Sequence, residues 1–81
     1  MIKSQGNKVI VSRADVANFN ARWPCSTLRS TRAYWFEFAS NGDLVDTDCP
    51  EQDDGPAAAA MADDCRAWLF EDTTPAWESS H

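Results

Sequence analysis

Histidine is almost missing: the 81 residues hold one, His81, the last of them. No Ser-His or Cys-His pair can therefore activate a nucleophile. Glycine is nearly as scarce. Gly6, Gly42 and Gly55 lie too far apart to form a phosphate-cradling loop. No stretch reaches the roughly 18 consecutive apolar residues of a membrane span. The opening Met-Ile-Lys-Ser-Gln-Gly-Asn-Lys lacks the apolar run of a secretory signal, which predicts a protein that stays in the cytoplasm. A chain of this length buries only about 60% of its unfolded surface, too little to wall a deep cleft for a paired-carboxylate hydrolase. With none of the usual catalytic constellations present, the sequence predicts a protein that is not an enzyme and needs no cofactor.

Cysteine is sparse and odd in number: Cys25, Cys49 and Cys65. That argues against a disulfide framework and for reduced thiols, some of them buried as small hydrophobes. A zinc set of Cys25, Cys49, Cys65 and His81 lacks the paired Cys-x-x-Cys spacing of structural zinc. Asp43, Asp46 and Asp48 lack the spacing and turn glycine of a calcium loop. No metal site is expected.

What is abundant is negative charge, and it is unevenly placed. The net charge is −6. Residues 1–37 carry six cations against two carboxylates, a net +4, while residues 38–81 carry Arg66 against eleven carboxylates, a net −10. Separation of this kind bears on partners and encounter rates more than on fold.

The pattern predicts a small α+β domain of order β-α-β-β-α, an antiparallel sheet with a central hairpin and two helices on one face. Residues 1–7 read as a lead-in, and Val9-Ile10-Val11 as a strand. Ser12 and Asp15 form a relative of the capping box, and Val16, Phe19 and Trp23 share one helical face before Pro24 ends the helix. In residues 33–39, Tyr34, Phe36 and Phe38 alternate with Trp35 and Glu37 as in a strand. Asn41-Gly42 is a hairpin signal in which both residues tolerate positive φ. The return strand, residues 43–48, puts Leu44 on one face and Val45 on the other, and its aspartates mark an edge. Residues 49–54 read as an acidic loop, and Gly55-Pro56 as the opening of a second helix whose core stripe is Ala58, Met61, Ala62, Cys65 and Leu69. Residues 1–70 form the domain, and 71–81 a mobile tail in which Trp77 either folds back or stays exposed.

The main functional candidates are Asp43, Asp46, Asp48, Glu51, Asp53 and Asp54, with Trp35 beside them. Such a run is either a solvated edge that keeps the protein soluble or an acidic face that docks on a basic surface, its carboxylates standing where phosphates would. Trp35 suits a protein interface, as in an adaptor or a homodimer formed through an open sheet edge. Arg22, Arg29 and Arg32, near Trp23, Tyr34 and Trp35, offer a third reading as a small nucleic-acid patch, but a negative overall field repels nucleic acid. Pairing of these arginines with the acidic half is the simpler account.

Asn-Gly-Asp-Leu-Val-Asp-Thr-Asp at 41–48 and Glu-Gln-Asp-Asp-Gly at 51–55 give the chain the look of short accessory proteins of phages and other bacterial mobile elements. Among these it resembles the anti-CRISPR proteins. The resemblance implies an inhibitor in the bacterial host's cytoplasm, monomer or homodimer, whose acidic face blocks a basic, nucleic-acid-handling host protein such as a CRISPR-Cas subunit.

Overall fold

The computed structural model describes residues 2–24, 28, 31–49 and 51–78, with the backbone alone for 51–55. The element order is β1 (Lys3–Gln5), β2 (Lys8–Val11), α1 (Arg13–Arg22), β3 (Tyr34–Phe38), β4 (Leu44–Thr47) and α2 (Glu51–Glu71). The α+β class is as the pattern predicts. The strands form one antiparallel sheet in the order β1-β2-β3-β4. The β3–β4 hairpin therefore supplies one inner strand and one edge.

The lead-in is a strand, which corrects the reading of residues 1–7. Gln5 pairs with Lys8 across the two-residue turn Gly6-Asn7. Gly6 sits there at φ 61°, the sign that a type II′ turn requires at its first central position.

Alternation in β2 and β3 separates two faces. Val9, Val11, Tyr34, Phe36 and Phe38 are buried, and Lys8, Ile10, Trp35 and Glu37 are half-buried on the other side. The buried set joins Val16 and Phe19 of α1 and Ala57, Met61, Ala62 and Cys65 of α2 in a single core. Both helices thus cover one face, and no described helix covers the other.

Helix α1 begins with a reciprocal cap. The Asp15 N–H donates to Ser12 Oγ at 3.2 Å, and the Ser12 N–H donates to Asp15 Oδ2 at 3.4 Å. A cap of this kind stabilises by about 1 kcal/mol. At the other end Trp23 leaves the helical face on which the periodicity placed it. It is the C-cap at φ −122° and ψ 71°, and the residue is 48% exposed. A residue before proline is driven out of the α region, and here that swings the indole toward solvent.

The β3–β4 turn holds its glycine where expected, in a different geometry. Gly42 alone takes positive φ, at 93°, in a three-residue loop of Ser40, Asn41 and Gly42 closed by Ala39 N–H to Asp43 O at 2.7 Å. That is a left-handed residue after an ordinary turn. Helix α2 starts at Glu51, so the expected acidic loop is helical and Pro56 lies inside the helix. Pro56 has no N–H to donate to the carbonyl four residues back, and the acids before it suit the positive pole of the helix.

After α2 the chain reverses at Asp72, which adopts φ 58°. It then returns to the core, so of the two alternatives for Trp77 the structure shows the one that folds back. Trp77 is 3% exposed and meets Phe19 edge-on, with ring centroids 5.2 Å apart. The Ile2 N–H donates to Glu78 Oε1 at 3.3 Å, so the two ends of the described chain meet.

Candidate functional site: the acidic edge and its groove

The fold divides the described carboxylates of the acidic stretch into two kinds. Asp48 is a clip. Its Oδ1 accepts the Trp35 N–H at 2.8 Å, and its Oδ2 lies 3.0 Å from Arg32 Nη1. Arg32 Nη2 also donates to the Asp48 carbonyl at 2.7 Å, and the guanidinium stacks 4.0 Å from the Tyr34 ring centroid. The hydrogen bond to Asp48 holds Arg32 above its ordinary pKa. This pair ties the start of β3 to the end of β4 and spends one arginine of the basic half on a carboxylate of the acidic half. Arg22 lies 6.0 Å from the Trp23 ring, and Arg29 is outside the described residues.

Asp43 and Asp46 are different, being exposed on the hairpin. Asp43 is held by Asn41, whose Nδ2 donates to Asp43 Oδ2 at 3.1 Å. Asp46 Oδ1 accepts the Thr47 N–H at 2.8 Å, an edge-strand amide. Asp46 also stands directly opposite Glu37, and Lys8 opposes Glu37 from the far side. Like charges facing across a ladder cost stability. The side chains of Glu51, Asp53 and Asp54 lie outside the described residues.

Between these carboxylates the edge is apolar. A register shift at Glu37/Phe38 leaves Val45 with no residue opposite, and it bulges out 58% exposed. Leu44 is 46% exposed. Both side chains of this edge strand are therefore exposed. Leu44 forms a wall of a groove between β4 and α2, about 450 Å³ in volume, with Phe36, Thr47, Cys49 and Ala58, Ala59 and Ala62. Nothing in the sequence marks this groove. On the α2 side its wall is made of alanines, whose short side chains leave the space unfilled.

Trp35 sits apart from the edge groove, on the sheet face that no described helix covers. It pairs across the ladder with Ile10, and Lys8 Nζ lies 4.3 Å from its ring centroid. A lysine over tryptophan covers part of the ring and contributes about 0.5–1 kcal/mol at an exposed site.

A further cleft of about 360 Å³ separates α1 from α2, lined by Phe19, Trp23, Pro56, Ala60, Asp63 and Asp64. Burial, then the neighbouring Asp63, pushes the Asp64 carboxyl above its ordinary range. A raised carboxylate pKa means that the folded state disfavours the charge. Stability from this group is complete when the carboxyl is protonated and declines as pH rises through the unfolded and then the folded pKa. Asp64→Asn is expected to raise the urea midpoint near neutral pH and to leave it unchanged in acid, where wild type is protonated. A midpoint lowered at neutral pH would contradict this.

Cys49 and Cys65 are buried and form no disulfide among the described residues, and burial pushes the Cys65 thiol far up, so it is inert. Among the described residues no three His, Cys, Asp or Glu gather in a way that would hold a metal ion, and no helix is long and apolar enough to cross a membrane. Cys25 and His81 of the zinc set lie outside the described residues.

Comparison with protein families, curated proteins and solved structures finds no match for the chain.

Proposed function

We propose that the protein acts without catalysis, by docking its β4 edge onto a basic surface of another protein. The observation that carries this is the exposed pair Leu44 and Val45 between the carboxylates of Asp43 and Asp46. Charge alone on an edge strand serves to prevent pairing. An apolar centre works against that purpose, but it is what an interface core framed by a polar rim contains. The unfavourable placement of Asp46 opposite Glu37 supports the same reading, since residues that cost stability are retained for other reasons. The acidic rim favours a partner whose own ligand is nucleic acid, so the protein is read as an inhibitor acting in a bacterial cytoplasm, of the anti-CRISPR kind.

The test is capture from nuclease-treated bacterial lysate with elution in rising salt. One basic, nucleic-acid-handling protein is expected to leave as salt rises and to be missed by an Asp43→Lys, Asp46→Lys double variant. A partner held equally by both forms and indifferent to salt would overturn this reading. The half-buried Trp35 beside Ile10 on the sheet face that no described helix covers favours a second reading, an adaptor or homodimer contact. There Trp35→Ala would release the partner and charge reversal would not.

A further inference from the structure

The edge groove is specific about what would fill it. A second hollow of about 340 Å³ shares Leu44, Ala59 and Ala62 with the first and continues to the hairpin turn, where Asp43, Asp63 and Arg66 line it. Arg66 is already engaged, its Nη2 lying 2.9 Å from Glu71 Oε2. Neither Asp43 nor Asp63 has a salt-bridge partner among the described residues. The result is a trough with apolar walls, ending at two carboxylates that have no ion-pair partner among the described residues and at an arginine engaged with Glu71.

We infer that the trough receives one large apolar side chain from a basic segment of a partner protein. The anchor seats between Leu44 on β4 and Ala59 and Ala62 on α2, and lysines or arginines beside it meet Asp43 and Asp63. The inference rests on the reading that the β4 edge docks on a basic partner, and it adds the chemistry of the segment. Charge decides the occupant. A second copy would bring the same carboxylates against this rim, on a chain of net charge −6. A basic segment gains from the field instead, and a buried apolar anchor supplies the central affinity that rim charges do not.

The experiment titrates short synthetic peptides into the isotope-labelled full chain and follows the amide signals of Leu44, Ala59, Ala62 and Asp63. One peptide has a leucine flanked by lysines, one has that leucine replaced by alanine, and one has the lysines replaced by glutamates. Saturable shifts are expected with the first, and binding at least about ten-fold weaker with the other two. Ala59→Leu fills the trough from an exposed position with a good helix former and is expected to weaken the first peptide by a similar factor. Leucine and alanine peptides that bind alike, unaffected by Ala59→Leu but lost on reversing Asp43 and Asp46, would overturn the anchor and leave the acidic-edge reading standing. Peptide binding lost to neither change would overturn both. Silence toward every peptide, with or without a doubling of mass, would also overturn the anchor.

Discussion

Trp77→Ala is expected to unfold a large fraction of the protein near body temperature. The indole is buried at 3% exposure and packs edge-on against Phe19, itself a buried residue of α1. Truncating a buried tryptophan to alanine costs about 3–5 kcal/mol. A domain of this length has only about 4–12 kcal/mol in total, so the loss is a large share of the whole. The same side chain packs the segment after α2 onto the core, where the Ile2 N–H meets Glu78 Oε1 and the two ends of the described chain come together. Its Nε1 is buried with no hydrogen-bond acceptor among the described residues. An orphaned donor costs about 1–3 kcal/mol, so the indole is held by packing against that cost. Trp77→Phe separates the two effects. It removes the orphan and keeps a ring against Phe19, and it is expected to lose far less than the alanine variant in urea unfolding. An alanine variant with an unchanged midpoint would show that the segment is an appendage.

Trp77 also shows where sequence reading stops. The strand residues Tyr34, Phe36 and Phe38 and the helix residues Met61, Ala62 and Cys65 announced their burial by period, because regular elements repeat a geometry that spacing can reveal. A tryptophan in an irregular segment has no period, and only the shape of the core decides whether it folds back. The strand β1 was legible in principle. Gly6-Asn7 is a two-residue turn signal of the Gly-first kind, but polar Lys3-Ser4-Gln5 offered no alternation to support it. The cap of Ser12 and Asp15 was legible because it is local. The clip between Arg32 and Asp48 was legible only as a general pairing of basic with acidic halves. The particular partner depends on strand register, and the register depends on a bulge at Glu37/Phe38 that no residue type announces.

That clip sets the second large effect, because it divides the described candidates Asp43, Asp46 and Asp48 by role. Asp48→Ala is expected to destabilise by about 1–3 kcal/mol, since it leaves the Trp35 N–H without its acceptor and Arg32 without its carboxylate. The double change Asp43→Lys, Asp46→Lys is expected to leave stability within about 0.5 kcal/mol. Both side chains are exposed, and a lysine at 46 would face Glu37 with opposite charge. Binding is expected to move the other way. The double reversal should weaken the partner by about ten-fold or more, equivalent to at least about 1.4 kcal/mol. Asp48→Ala, assayed where it remains folded, should bind within a few-fold of wild type. Urea midpoints and partner affinities measured on the same preparations decide the matter. If Asp48→Ala abolishes binding while folded and the double reversal does not, the functional carboxylate is the one at the Arg32 clip. If the double reversal changes neither quantity, Asp43 and Asp46 do no more than keep an edge strand from pairing. Loss of affinity with stability intact is the outcome that only a docking edge produces, because a guard residue has no partner to lose.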